Sequence, residues 1–155
     1  MRFVMPNIGS RGTDLQKGEQ ITLFASAARL VTAGVNGDTV YVGGERIGYI
    51  FYLDVTAAAT VAGDILDVFI DWSLNGTRWF NGARFTRVLG NGGAVSFYTS
   101  FVVQGETADV ALTANAAINT TRGTMLAPYV RGRYIVTQAG ADVASFTFSL
   151  IGYAI

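Results

Sequence analysis

Residues 64–77 read DILDVFIDWSLNGT, and this stretch decides the fold class. Apolar side chains occupy every second position of its first ten residues, which predicts an antiparallel strand with one buried face. The buried set is Leu66, Val68, Ile70 and Trp72. Asn75-Gly76 then predicts a hairpin, because both residues tolerate positive φ. We therefore expect the chain to return over Arg78–Leu89, with a bulge at Asn81-Gly82.

The same two-residue period recurs along most of the chain, with Gly- and Asn-rich turns between the periodic segments. Further strands are predicted at Ile21–Phe24, Asp38–Val42, Arg46–Val55, Ala94–Val103, Tyr129–Thr137 and Val143–Tyr153. Ala25–Val31 is expected to form a helical turn, 119–123 a loop, and Ala108–Ala117 is ambiguous. The fold class is all-β, an antiparallel β-sandwich or jelly-roll-like fold. The strand order, and hence the choice between sandwich and jelly roll, stays open.

The expected domain organisation is an irregular N-terminal arm at 1–20 followed by a single β-sandwich domain at 21–155. The arm is rich in Gly and in polar and charged residues, and it has an apolar tip. That tip consists of Phe3, Val4, Met5 and Ile8. Pro6 and Gly9 interrupt it where a signal peptide needs a long apolar core, so we do not expect a secretory leader.

The composition indicates a protein that covers its surface by association. Of 155 residues, 50% are hydrophobic and 14% are charged, and the 11 basic and 11 acidic residues give a net charge of zero. A chain without net repulsion tends to associate. No apolar stretch approaches the roughly 18 residues of a membrane helix, so no membrane partner is expected. No positive excess favours nucleic acid either.

The chain contains neither Cys nor His, which removes disulfides, thiolate metal sites and the commonest general base. A Ser–Lys arrangement would depend on the single lysine, Lys17. Gly43-Gly44 and the Gly90–Gly93 segment match no phosphate-binding motif and are interpreted as turns. We therefore expect no enzymatic activity, no catalytic residues, no cofactor and no metal ion.

Asp64, Asp67 and Asp71 lie on one predicted strand, with Asp54 on a possible neighbour. Asp67 and Asp71 share a face, so they could bind Ca²⁺ or form a glycosidase pair. The competing interpretation is a solvated face or cross-strand ion pairs. The arginines available for such pairs across the hairpin are Arg78, Arg84 and Arg87. The strand context lacks the Gly and Asn of a calcium loop and favours the ion pairs.

Four further residues are candidates for an interface. Trp79 and Phe80 are adjacent, so they face opposite sides of the return strand and one of them belongs to the core. The other is a platform for sugar stacking or an anchor in a subunit contact, and the contact is favoured. Arg131 and Arg133 share a strand face and are expected to form ion pairs at a subunit contact.

Two stretches resemble small tailed-phage virion proteins, over residues 46–155. Residues 66–79 (LDVFIDWSLNGTRW) are similar to a strand pattern LDVxIxxSxDGTxW, and the FTRV at 85–88 stands where the family has FTQV. The second stretch, YVRGRYIV at 129–136 and SFTFSLIG at 145–152, resembles the family's ending. Residues 1–45 match no part of this pattern.

The resemblance implies a non-enzymatic virion structural protein, most like a capsid decoration (cement) protein. Such a protein would bind the major capsid protein lattice as a homo-oligomer, with a trimer favoured, after synthesis in the host cytoplasm. The arm tip and the four candidates above would supply the contacts. The alternatives are a carbohydrate-binding or adhesion module and a phage tail structural protein.

Overall fold

The structure, a computed structural model, describes residues 19–43, 48–102, 115–122 and 126–155. All regular elements in these ranges are strands, which confirms the predicted all-β fold. The strands are β1 (Gln20–Leu30), β2 (Thr32–Asn36), β3 (Val40–Tyr41), β4 (Gly48–Ala57), β5 (Ile65–Ser73), β6 (Phe80–Arg84), β7 (Val88–Leu89), β8 (Val95–Val102), β9 (Thr120–Thr121), β10 (Tyr129–Thr137) and β11 (Ser145–Ala154).

Two antiparallel sheets pack face to face. The four-stranded sheet has the order β1-β11-β4-β8, and the seven-stranded sheet has the path β2-β10-β5-β6-β9, with β3 on β10 and β7 on β5. Among the eight longer strands, the first pairs with the last (β1 with β11) and the second with the seventh (β2 with β10). The third pairs with the sixth (β4 with β8) and the fourth with the fifth (β5 with β6). This nested pairing is the topology of a jelly roll, a long hairpin rolled into two sheets.

The core lies between the sheets, on the faces that the alternation predicted. The largest fully buried side chains between the sheets include Trp72, Tyr49, Phe51, Phe101, Phe146 and Phe148. The indole of Trp72 lies 5.3 Å from the ring of Phe101 and 6.0 Å from that of Phe51, centroid to centroid. Burying each such side chain stabilises the fold by about 1.5–3 kcal/mol.

The hairpin between β5 and β6 contains the predicted bulge. Ile70 pairs with Ala83 and Asp71 with Asn81, so Gly82 is the extra residue. A Cβ on Gly82 would lie 2.5 Å from Trp72 and 2.9 Å from Phe101. Glycine at the bulge therefore lets the indole approach the β6 backbone.

Two expectations about local structure are wrong. Within the expected loop at 119–123, Thr120 and Thr121 form β9, which pairs with β6 because its backbone completes the hydrogen bonding of that strand. Residues 25–30 do not form a helical turn but continue β1, where Ala27 pairs with Phe148 and Leu30 with Ser145. Two register irregularities, between Thr22 and Phe24 and between Phe24 and Ala27, interrupt the alternation. The bulges hide the two-residue period, and the hydrogen bonds to β11 override the helix propensity of the alanines.

Candidate functional site

The outer face of the seven-stranded sheet carries a cluster of six charged side chains, which we call the arginine–aspartate cluster. Its members are Asp67, Asp71, Arg84, Arg87, Arg131 and Arg133. The two aspartates alternate with the core residues of β5, so the strand geometry directs them away from the core. Both are nevertheless buried, as is Phe69 between them.

Asp67 binds two arginines from the return segment of the hairpin. Arg84 Nη2 lies 2.9 Å from Asp67 Oδ1, and Arg87 Nη2 lies 3.1 Å from Asp67 Oδ2. The Nε atoms of both arginines also donate to Oδ1. The cross-strand ion pairs expected for this aspartate are confirmed with two of the three arginines considered.

Asp71 is held by β10 and by the bulge. Arg133 Nε donates to its Oδ2 at 2.9 Å, and Asn81 Nδ2 donates to its Oδ1 at 2.9 Å. Arg131 Nη2 lies farther away, 3.6 Å from Oδ2. Arg131 and Arg133 thus form ion pairs within their own chain. Burial lowers the pKa of Arg131, and the charge of Asp71 opposes that shift.

Aromatic rings complete the cluster. The guanidinium carbon of Arg133 lies 4.0 Å from the ring centroid of Phe69, and that of Arg84 lies 5.3 Å from it on the neighbouring strand. Arg131 stacks over Trp79 at 4.2 Å. Such contacts are favourable because the quadrupole of an aromatic ring gives its face a negative electrostatic potential, which attracts the cation. The guanidiniums of Arg84, Arg131 and Arg133 are therefore each held between a carboxylate and an aromatic ring.

This arrangement fixes charges in place, because both carboxylates already accept hydrogen bonds from cationic or amide donors. Within the described ranges, no group of three or more acidic side chains is placed to hold a metal ion. Asp64 is also buried; its Oδ1 accepts the amide N–H of Ala139 at 2.8 Å and so ties two loops together. Asp54 accepts a hydrogen bond of 2.7 Å from Ser96 Oγ.

The predicted interface residues fall in different places. Phe80 is half-buried against the core and Trp79 is half-buried beneath Arg131, so of the two aromatic residues Phe80 is the one that packs on the core. Arg131 and Arg133 belong to the arginine–aspartate cluster. The apolar arm tip, Phe3, Val4, Met5 and Ile8, lies outside the described residues.

The outer face of the four-stranded sheet is a surface that the sequence reasoning missed. We call it the tyrosine face, and its residues are Ile50, Tyr52, Tyr98, Val102, Ile151 and Tyr153. Tyr98 is 77% exposed, and Tyr52 lies directly opposite it on β4. Ile50, Tyr52, Val102 and Tyr153 are 36–42% exposed. These residues alternate with the core residues along the same strands, so the apolar character of the second strand face was the sequence signal that could have identified this surface.

The tyrosine face is almost free of charge. Arg29 and Asp54 are the only charged residues in β1, β4, β8 and β11. Arg29 lies over the rings of Phe24 and Phe148 and donates to the Phe148 carbonyl oxygen at 2.6 Å. Burial lowers the pKa of Arg29 below its ordinary value. The two outer faces of the sandwich therefore differ sharply in polarity.

No helix in the described residues has the length and apolar character needed to cross a bilayer. Comparison of the chain with protein-family models, with curated proteins and with solved structures found no match.

Proposed function

We propose that the protein is a non-enzymatic structural subunit of a virion, most like a capsid decoration protein that binds the head lattice as a homo-oligomer. The observation that carries the proposal is the tyrosine face, which exposes tyrosine and aliphatic side chains on strands with almost no charge. Tyrosine is enriched in protein–protein interfaces, and charged residues are depleted at their centres. An exposed surface of this composition suits a permanent contact.

The arginine–aspartate cluster supports the same proposal. Four guanidiniums and two carboxylates are paired with one another and packed on Phe69 and Trp79, so their charges serve the sheet itself. Two aspartates engaged in this way are poorly placed for general acid or base catalysis, which needs a proton to be exchanged with substrate. The function then depends on surfaces and not on a reaction.

A decoration protein stabilises a shell because it binds the assembled lattice and not the dissociated subunits. An oligomer binds through several weak contacts at once, so its overall affinity for the shell exceeds the affinity of any single contact. The resemblance to phage virion proteins implies a trimer, whose mass would be three times the 16.5 kDa of the chain. Separating virus heads from tails and measuring the protein in each fraction distinguishes a location on the head from the alternative location on the tail.

Cosedimentation with virus shells tests the proposal. Wild-type protein is expected to bind purified shells stripped of it, and binding is expected to persist at about 1 M salt, where the Debye length is only about 3 Å. Tyr52→Lys places a charge in the tyrosine face and is expected to weaken binding. Thr137→Lys, an exposed position on β10, is the matched control. Loss of wild-type binding at high salt, or equal binding by Tyr52→Lys, would contradict a contact through this face.

One observation favours the adhesion alternative. Tyr98 and Tyr52 lie side by side on neighbouring strands, and two adjacent rings of this kind can stack on a sugar. This function predicts a saturable fluorescence change with an oligosaccharide, abolished by Tyr98→Ala. Absence of any such change across a glycan array would leave the shell as the partner.

A further inference from the structure

The two edges of the four-stranded sheet are built differently. The β1 edge has two register irregularities and carries Arg29, and both bulges and charges protect an edge against pairing with another chain. The β8 edge has neither. Its eight residues, VSFYTSFV, pair with β4 without interruption from Gly48↔Val102 to Val55↔Val95. They contain no charge, proline or glycine.

The second feature of this edge is the side of β8 that faces away from β4. Within the described ranges, no strand pairs with the side of β8 that faces away from β4. The inward-facing Val95, Phe97 and Thr99 are only half-buried, whereas Phe101 is fully buried. A cleft of about 70 Å³ lies between Phe97 and Thr99 of β8 and residues 119–121, which include β9. Among the described residues, the backbone of β8 therefore has no strand partner on this side, and the contact that crosses the cleft is a side-chain hydrogen bond between the hydroxyls of Thr99 and Thr121.

We infer that β8 pairs antiparallel with β8 of a second copy, so that two four-stranded sheets become one continuous sheet of eight strands. An antiparallel edge is complementary to itself about a two-fold axis, which makes the contact isologous. Side chains keep their faces only when residues of equal parity oppose each other. The register centred on Tyr98 places Tyr98 opposite its copy and Ser96 opposite Ser100.

The absence of charge is the reason to choose a second copy as the occupant. A two-fold axis places identical residues near each other, so any charged residue at the centre of β8 would meet its own like charge. VSFYTSFV has no such conflict in any register. Tyr98, the most exposed of the large hydrophobic side chains in the four-stranded sheet, would be covered in part by Tyr98 of the second copy.

The pairing would specify how the proposed structural subunit assembles. It rests on the proposed function in one respect, the expectation that this chain forms oligomers. It joins two tyrosine faces into one larger uncharged surface. It also changes the expected symmetry, because a closed trimer cannot satisfy an isologous contact in all of its subunits. The unit in solution is then a dimer of twice 16.5 kDa or an even multiple of it.

Single-cysteine variants test the pairing directly, since the chain has no native cysteine. Opposed residues in antiparallel strands have Cβ atoms about 4.5–5.5 Å apart, close enough for cross-linking by a short thiol reagent. Tyr98→Cys is expected to give a covalent dimer, whereas Tyr52→Cys, one strand farther from the edge on the same face, is expected to give little. Equal cross-linking of both variants, or none with Tyr98→Cys, would overturn the inference.

Light scattering on the purified full chain provides the second measurement. Tyr98→Lys is expected to raise the dimer dissociation constant by roughly tenfold or more, through like-charge opposition at the axis. Tyr52→Lys is expected to leave the mass unchanged. In the Tyr98-centred register, combining Ser96→Lys with Ser100→Glu forms two opposite-charge pairs and keeps the dimer, whereas Ser96→Lys with Ser100→Lys breaks it.

The failures of the two proposals are distinguishable. A wild-type monomer or trimer by light scattering contradicts the β8 pairing, whatever the shell experiment gives. A dimer that does not bind shells supports the pairing and contradicts the decoration function. Tyr52→Lys separates the two further, because it is expected to lose shell binding and to retain the dimer.

Discussion

Asp71 is the residue whose replacement tests most severely how the seven-stranded sheet is held together. Its side chain is 4% exposed and faces Arg133, Arg131 and Asn81. Asp71→Asn preserves the shape but removes the charge, which leaves two guanidiniums, themselves only 18–19% exposed, opposite a neutral amide. We therefore expect a large loss of stability.

The magnitude follows from the geometry. Removing one partner of a buried ion pair costs about 3–5 kcal/mol. The two arginines retain some exposure and can turn toward water, so the lower end applies and we expect a loss of about 3 kcal/mol. In a chain of 155 residues this corresponds to a fall in Tm of roughly 6–12 °C.

Urea unfolding followed by circular dichroism measures this loss. Asp54→Asn is the matched control, because Asp54 is only half-buried and accepts a hydrogen bond from the uncharged Ser96 hydroxyl; the change is expected to cost less than about 1 kcal/mol. Combining Asp71→Asn with Arg133→Gln should recover part of the loss, since the second change removes one uncompensated charge. Stability of Asp71→Asn within about 0.5 kcal/mol of wild type would refute the ion-pair account.

Three other perturbations have defined outcomes. Gly90→Ala should destabilise by about 3 kcal/mol or more, measured by thermal unfolding, because its Cβ would overlap the carbonyl oxygen of Val61; Gly93→Ala, with open space around it but a positive φ, should cost only about 1 kcal/mol. Deletion of residues 1–12 should abolish shell binding and leave the circular dichroism spectrum unchanged; undiminished binding would remove the arm from the account. Trp79→Ala should destabilise the fold by roughly 1–2 kcal/mol through loss of the stacking on Arg131, and an unchanged unfolding midpoint would contradict that contact.

The sequence was sufficient to predict those strands in which apolar and polar residues alternate regularly. The core face of β5, the presence of a hairpin at Asn75-Gly76 and the bulge at Gly82 follow from local pattern, because strand period is a local property. The turn itself differs from the two-residue type, since it spans 74–79 and only Gly76 has a positive φ. β1 was predicted only in part, since its two bulges break the period. β2, with the sequence TAGVN, contains a single large apolar residue, Val35, and buries neither face, so its pattern is too weak to predict a strand.

The strand order and the partners of Asp71 could not be predicted in the same way. The jelly-roll order depends on pairings between distant segments, such as β1 with β11. Arg133 lies 62 residues from Asp71 along the chain, and no local pattern reports that contact. The tyrosine face was visible as the second face of β4 and β8, but its significance depends on how few charges the assembled sheet contains.

Quantitative mass spectrometry of purified virus particles, which measures the copy number of this chain, tests most directly the proposal that it is a structural subunit of a virion. We expect many copies at a fixed ratio to the major capsid protein, retained after washing at high salt. Absence from the particles, or a trace amount that varies between preparations and washes away, would contradict it.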